Sequence, residues 1–184
     1  MLLRKIILKC FLAMTAIVSP HHNSAAMPPP AASSERVARG RESGLPIPRF
    51  VSLKANRARM RVGPSFEYGV EWVYQAQGLP LEIIEEYGNW RKVRDCDGIF
   101  GWMHRSLLSS RRTAIVGPWL KDTVPLRTQT RGTIQARLEP RVRIQLLSCS
   151  LSWCDVAVDH EKERLSGFVE KSSLWGVYPN EVFE

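Results

Sequence analysis

Cys96 and His104 are residue types that can act together as a nucleophile and a general base. An Asp-Gly turn at 97–98 follows Cys96 directly, so we expect the two side chains at opposite ends of a β-hairpin. The sequence places no third residue to orient the imidazole. We therefore predict that the protein has no catalytic residues and is not an enzyme.

The other acidic and imidazole groups favour structural roles. His104 and His160 lie far apart, and neither belongs to a His-x-x-x-His spacing, so we predict no metal site and no cofactor. Asp95 and Asp97 flank a turn and are typical turn residues. The Glu pair at 85–86 lies where a strand meets a turn, and we expect both carboxylates to be solvated.

Two cysteines bracket a short turn near the end of the chain. Cys149 and Cys154 are separated by residues 150–153, and in a hairpin with this loop their Cα atoms would lie within bridging range. We therefore predict a Cys149–Cys154 disulfide and an unpaired Cys96. The alternative is two buried free thiols, since a tight hairpin can strain the bond.

An internal repeat organises the elements that carry these residues. A strand that begins at Trp90 is followed by the turn at 97–98 and by a second apolar segment, which is a hairpin signal. A weaker copy lies downstream. The equivalent residues are Trp90 and Trp153, Val93 and Val156, and Gly101-Trp102 and Gly167-Phe168. The repeat predicts an all-β protein made of two small barrels, over 49–116 and 117–184.

The segment before the barrels indicates export. Residues 1–26 combine a charged start, an apolar stretch and small residues at 24–26, which is typical of a cleaved signal peptide. The apolar stretch is shorter than the about 20 residues of a transmembrane helix. We expect no membrane span after cleavage, and an uncleaved anchor is the alternative. Residues 27–48 are rich in Pro, Ala and Ser and are predicted to be a disordered linker.

A set of short motifs in the first module gives the family. They are Arg61-Val62-Gly63-Pro64-Ser65, Tyr68, Gly78, Asn89-Trp90-Arg91-Lys92-Val93 and Gly101-Trp102. Together they resemble the bacterial Src-homology-3 (SH3) domain family. The resemblance implies a five-stranded barrel with a tight helical turn before its last strand, export, and often a role at the cell wall. The second module departs from the pattern, because Gln129-Thr130 stand where Gly-Pro stood in the first.

Aromatic residues are the candidate ligand-binding residues. If the resemblance holds, the loop after Val62 brings Phe66 and Tyr68 near the hairpin that begins at Trp90. Peptide-binding barrels of this class use an aromatic-lined groove. The predicted ligand-binding residues are Phe66, Tyr68, Trp72 and Trp90. A small barrel also fills its interior with side chains, so a core role is the alternative for Tyr68, Trp72 and Trp90.

Charge narrows the class of partner. The net charge is +8, of which Arg4, Lys5 and Lys9 in the predicted signal peptide carry +3, and nearly all of the remaining +5 lies in the first repeat. A basic module favours anionic partners, and solvated arginines on alternating strand positions are the alternative. Export argues against nucleic acid. We therefore predict a secreted or periplasmic, non-enzymatic protein that binds a peptide or a wall polymer such as peptidoglycan. The alternative is an envelope scaffold that acts through protein–protein contacts of the two barrels.

Overall fold

Short alternating segments of the sequence form short strands in the structure. The computed structural model describes residues 37–160 and 163–184, and within these ranges it contains fourteen strands and two single turns of 3₁₀ helix. The predicted all-β class is confirmed. The predicted signal peptide, residues 1–26, lies outside the described residues. None of the helices in the described part of the chain is long and apolar enough to cross a membrane.

The first barrel is one antiparallel sheet of seven short strands. Its order is β3-β2-β6-β5-β4-β1-β7, and a 3₁₀ turn at Arg105–Leu107 precedes the last strand. The strands are β1 (Arg49–Leu53), β2 (Ala58–Arg61), β3 (Val70–Tyr74), β4 (Pro80–Tyr87), β5 (Trp90–Arg94), β6 (Phe100–His104) and β7 (Leu108–Ser109).

The second barrel repeats this topology strand for strand. Its order is β10-β9-β13-β12-β11-β8-β14, with a 3₁₀ turn at Lys171–Ser173 before the last strand. The strands are β8 (Thr113–Val116), β9 (Val124–Arg127), β10 (Ile134–Leu138), β11 (Arg143–Cys149), β12 (Trp153–His160), β13 (Glu163–Glu170) and β14 (Leu174–Trp175). The two barrels therefore have equivalent strands in the same order.

The register of the central hairpins explains the sequence repeat. Val93 lies opposite Gly101 in the first barrel, and Val156 lies opposite Gly167 in the second. A Cβ atom on Gly101 would lie 2.9 Å from the backbone oxygen of Arg61 on the crossing strand β2. Gly167 is pressed against the equivalent strand β9 in the same way. Both glycines are needed because the backbone of the neighbouring strand leaves no room for a side chain at these positions.

Each barrel encloses its own apolar core, to which strands such as β2 and β9 contribute every second residue. The first core contains Leu53, Ala58, Met60, Leu81, Ile83, Val93 and Met103. The second core is larger and includes Val116, Leu126, Ile144, Leu146, Val156, Val169 and the cysteines 149 and 154. Met60, Leu81, Val93 and Met103 are fully buried, and so are Val116, Leu126, Val156 and Val169.

Two details differ from the sequence analysis. Each sheet has seven strand segments rather than five, because the chain also pairs at β1 with β7 and at β8 with β14. The segment Thr113–Val116, assigned from sequence to the end of the first module, pairs with β11 and β14 of the second sheet. All four of its residues are buried, so its apolar pattern did not reveal which core it joins.

The disulfide prediction is confirmed. Cys149 and Cys154 face each other at the end of the β11–β12 hairpin, with a Cα–Cα distance of 4.1 Å. Among the described cysteines Cys96 is free. Burial and the neighbouring carboxylate of Asp97 raise the pKa of its thiol to about 11, which keeps the thiol protonated at neutral pH.

Residues 37–48, predicted to belong to a disordered linker, instead form a turn against the first barrel. The carboxylate of Glu86 accepts hydrogen bonds from the backbone N–H groups of Glu42 and Ser43, at 3.1 and 2.8 Å, and from the Ser43 hydroxyl at 2.7 Å. It also pairs with Arg49 at 2.7 Å and Arg91 at 3.3 Å. Composition could not predict this contact, because its main partner lies more than forty residues away.

The sequence analysis was therefore wrong about Glu86, which is buried rather than solvated. Burial raises the pKa of its carboxyl, but the bonds from Ser43 and Arg49 and the charge of Arg91 outweigh burial and lower it to about 2. The adjacent Glu85 has the expected exposed carboxylate.

Aromatic packing and a partly buried hydrogen bond join the two barrels. Phe50 on β1 lies 5.1 Å from the ring of Trp175 and 4.6 Å from that of Tyr178. The Tyr178 hydroxyl donates to the carboxylate of Glu82 on β4 at 2.8 Å. Burial and this bond raise the pKa of Tyr178. These contacts hold the barrels in one compact unit.

Candidate functional site

Three ring side chains form a cluster on the first barrel. The ring centroids of Phe66 and Trp90 are 4.9 Å apart and edge-to-face. His104 lies 5.8 Å from Phe66, in a stacked arrangement, and 5.6 Å from Trp90. Trp90 is only 8% exposed, whereas Phe66 is 66% exposed. This aromatic cluster of Phe66, Trp90 and His104 therefore has a buried base and an open face.

The elements that hold the cluster follow from the local sequence. Gly88 has a positive φ of 51°, and the turn it forms with Asn89 starts β5 at Trp90. Trp90 lies opposite His104 in the β5–β6 pair. The Asn89 carbonyl accepts from the backbone N–H of Arg105 at 2.8 Å, which fixes the 3₁₀ turn beside the cluster.

The loop between β2 and β3 carries Phe66 to Trp90. Gly63 is the second residue of this loop, and the ring of Tyr68 packs so closely on it that a Cβ atom there would clash at 2.6 Å. The guanidinium of Arg61 donates to the Tyr68 carbonyl at 2.5 Å and lies 5.7 Å from the Phe66 ring centroid. Tyr68 and Arg61 therefore fix the loop that presents Phe66.

A row of three arginines runs beside the cluster. Arg57, Arg59 and Arg61 alternate with the buried residues Ala58 and Met60, so their side chains leave the outer face of the strand together. Within the described residues none of the three forms a salt bridge. We call Arg57, Arg59 and Arg61 the arginine row.

The aromatic cluster and the arginine row line one cavity of about 410 Å³, which we call the groove. Its lining is completed by Leu107 from the 3₁₀ turn. Guanidinium groups bind carboxylates and phosphates, and ring faces bind flat or apolar groups. The groove therefore suits a ligand that has an anionic group next to an apolar or planar one.

His104 contributes an imidazole ring to the lining of the groove. Its Nδ1 atom lies 2.7 Å from the Ser106 hydroxyl and accepts from the Ser106 backbone N–H at 3.4 Å. Since Nδ1 is an acceptor, the neutral ring carries its proton on Nε2. Cys96 lies beyond the other end of β6 and does not line the groove, so the two residues do not form a nucleophile–base pair.

The structure brings together two of the four residues singled out from the sequence. Phe66 and Trp90 are in contact and line the groove. Tyr68 lies in the same loop but packs on Gly63. Trp72 lies on the edge strand β3 opposite Met60, half exposed, and is not among the groove residues.

Sequence reasoning missed the arginine row and His104 as groove residues. The two-residue spacing of Arg57, Arg59 and Arg61 was a usable signal, because it predicts one face of one strand. The proximity of these arginines to Trp90 could not be predicted, because it depends on the pairing of β2 with β6 in the sheet. His104 joins the groove for the same long-range reason, since it pairs with Trp90 across the sheet.

The second barrel has a cavity of about 670 Å³ at the equivalent place. Trp153 and Glu170 occupy the positions of Trp90 and His104. Trp153 begins β12 and pairs with Glu170 at the end of β13, just as Trp90 begins β5 and pairs with His104 at the end of β6. The loop of this barrel contributes Arg131 rather than a phenylalanine. Trp119 and Leu151 line the same cavity and are exposed.

The strand order, the 3₁₀ turn before the last strand and the aromatic groove beside the β2–β3 loop define an SH3-like binding module. Residues 54–110, which cover most of the first barrel, match the model of the bacterial SH3 domain family, so the first barrel is similar to a bacterial SH3 domain. The match ends before the second barrel, which has the same topology. No curated protein matches the chain.

Proposed function

We propose that the protein is an exported, non-enzymatic binding protein whose groove recognises an anionic peptide or cell-wall polymer. The observation that carries this proposal is the open face of Phe66 on the buried Trp90, flanked by three arginines without acidic partners. An exposed phenylalanine in a fixed loop is costly to leave in water, and a ligand that covers it gains apolar burial.

The charge of the groove favours carboxylate-bearing ligands. The lining contains three arginines and His104 and no Asp or Glu. The peptide stems of peptidoglycan carry free carboxylates on short apolar residues, which matches a groove that pairs guanidinium groups with ring faces. A bacterial SH3 domain suggests a binding role that is often related to the cell wall.

An oxidising compartment agrees with the covalent structure. The Cys149–Cys154 bond closes a short hairpin, and disulfides persist mainly in exported proteins. The signal peptide predicted for residues 1–26 supports the same location.

The test is co-sedimentation of the purified protein with insoluble peptidoglycan. We expect the wild-type protein to sediment, and Phe66→Ala to reduce the bound fraction about ten-fold. The matched control is Phe100→Ala, which removes an equally exposed phenylalanine from β6 outside the groove. Arg59→Ala should also weaken binding, and its effect should shrink at high salt, because screening weakens exposed charge contacts.

Equal binding by the Phe66 and Phe100 variants would remove the groove from the proposal. Failure of the wild-type protein to bind either peptidoglycan or its soluble stem peptides would remove the ligand class.

The scaffold role is the second candidate, and the second barrel favours it. Trp119 and Leu151 are 55% and 71% exposed, and both line the same cavity. Such a patch is typical of a protein contact. A Leu151→Ser variant that keeps peptidoglycan binding but loses crosslinked envelope proteins would support this role for the second barrel.

A further inference from the structure

A second basic cavity lies on the first barrel, away from the open face of Phe66. It has a volume of about 680 Å³, and we call it the basic pocket. Its wall comes from the turn at 37–48, from β1, β4 and β5, from the 3₁₀ turn, and from residues 108–112 that lead to the second barrel. Several of these segments lie outside the matched residues 54–110, so the pocket is a feature of this chain.

Four arginines line the basic pocket: Arg49, Arg91, Arg105 and Arg112. No Asp or Glu is in the lining. The carboxylates bonded to these arginines are Glu86, which pairs with the first two, and Glu181, which pairs with Arg112. Four guanidinium groups against two carboxylates leave two positive charges, and an anion in the pocket would reduce this excess.

Donors remain available in the lining. Arg105 is exposed and uses its Nε atom to reach Asn89 at 2.9 Å, and within the described residues its two terminal nitrogens have no hydrogen-bond partner. Arg91 is buried and uses Nε and Nη1, which leaves Nη2 without a partner in the same part of the chain. Ser106, Ser109 and Ser110 add hydroxyl groups to the lining.

The rest of the wall is apolar. Phe50, Val51, Ile83 and Leu108 line the pocket, and Leu45 is contributed by the turn at 37–48 with half of its surface exposed. Pockets of this composition bind ligands whose body is apolar and whose orientation is fixed by a few polar groups.

We propose that the basic pocket binds a small amphiphile in which one oxyanion group, carboxylate or phosphate, is attached to an apolar body. Arg105 and the serine hydroxyls hold the oxyanion, and Leu45 with Phe50 and Leu108 covers the body. The site is separate from the groove, which has its own arginines and aromatic residues, although His104 lies between the two and lines both.

The test is a titration of the isotope-labelled full chain, followed by amide chemical shifts. The probes are octyl phosphate, octanoate, inorganic phosphate and the neutral octyl glucoside, all below their micelle-forming concentrations. We expect at least one octyl anion to shift the amides of residues 105–110 at a concentration where octyl glucoside does not. The stronger of the two octyl anions identifies whether phosphate or carboxylate is preferred.

Variants of the pocket test separately how the oxyanion group and the apolar body of the proposed ligand are bound. Arg105→Ala should weaken the octyl anion about ten-fold, as expected for a lost charged hydrogen bond. Arg111→Ala is the matched control, since Arg111 is an exposed neighbour of equal charge outside the lining. Leu45→Ser should weaken the octyl anion and leave inorganic phosphate unchanged. Both test residues are exposed, so neither change should unfold the barrel.

Three results would overturn the proposal: binding of octyl glucoside as tight as that of the octyl anions, equal weakening by the Arg105 and Arg111 variants, or shifts centred on Phe66 and Trp90. Phe66→Ala should leave octyl-anion binding intact. A failure of the peptidoglycan experiment is therefore distinct from a failure of this one.

Discussion

Glu86 is the best place to test the energetics of the first barrel. Its carboxylate is fully covered, and it holds the turn at 37–48 through Ser43 and the barrel through Arg49 and Arg91. The change Glu86→Gln keeps the size and one acceptor oxygen, but it removes the charge and replaces the other oxygen by an NH₂ donor. It leaves two arginines without their carboxylate, one of them buried.

The expected loss follows from the pKa of the carboxyl. Its value of about 2 in the folded chain lies below the ordinary 4.5, so the charged form stabilises the fold at every pH above 4.5. The difference corresponds to about 3 kcal/mol. This stabilisation is lost as the pH falls from 4.5 towards 2, where the wild-type carboxyl becomes protonated and resembles glutamine.

Urea unfolding followed by tryptophan fluorescence measures this difference. At pH 7 the Glu86→Gln variant should be about 3 kcal/mol less stable than wild type, and the gap should close as the pH falls below 4.5. The matched control is Glu85→Gln, whose carboxylate is 56% exposed and lies 3.4 Å from Lys92. A surface pair of this kind contributes less than about 1 kcal/mol.

A local measurement accompanies the global one. Trypsin should cut after Arg41 faster in the Glu86 variant than in wild type, because the turn that carries Arg41 loses its anchor. A stability difference that stays constant from pH 7 to pH 3 would refute the assignment of the effect to the charge of Glu86. An equal loss of stability in the Glu85→Gln control would refute the assignment of the effect to the burial of the Glu86 carboxylate.

Two further predictions concern the hairpins. Peptide mapping without reductant should recover Cys149 and Cys154 in one bridged peptide and Cys96 as a free thiol, and a peptide linked through Cys96 would contradict the pairing. Replacing both bridged cysteines by serine should lower the free energy of unfolding by about 2 kcal/mol. Gly101→Ala should destabilise the first barrel by more than about 1 kcal/mol, because the new Cβ meets the facing backbone. Gly69→Ala, which has open space around it, should be tolerated, and equal effects would contradict the reasoning.

The sequence was most informative where local patterns decide the structure. Trp90, Gly101 and their equivalents at 153 and 167 are set by the pairing of one hairpin, so a repeat in sequence predicted a repeat in register. The disulfide was predictable for the same reason, because both cysteines lie in one hairpin.

Contacts between distant segments were not predictable in this way. The four buried residues Thr113–Val116 fit either core, and only the pairing with β11 assigns them to the second. Glu86 looked like a surface residue because its partners at 42–43 lie in a segment with no apolar periodicity. Of the four aromatic residues predicted to bind a ligand, Phe66 and Trp90 line the groove, whereas the arginine row joins them through the pairing of β2 with β6, which the local sequence does not show.

The arginines of the first barrel's groove have two roles: one fixes the loop beside the groove, and another is free to bind a ligand. Arg61 and Arg127 occupy equivalent positions, opposite Trp102 and Phe168 respectively. Each donates through Nη1 to a backbone carbonyl of the loop that follows its strand, at 2.5 and 2.8 Å. This bond is common to both barrels and is therefore a property of the fold. Arg59 has no such counterpart.

The position equivalent to Arg59 in β9 is Pro125, since Met60 and Leu126 are the buried residues that follow each of them. Arg59 donates no bond to its own barrel among the described residues, so its charge is free for a ligand. The second barrel keeps the arginine that fixes the loop and has a proline where the first has a free guanidinium. The anion preference that we propose therefore belongs to the first barrel, and it depends on Arg59 more than on Arg61.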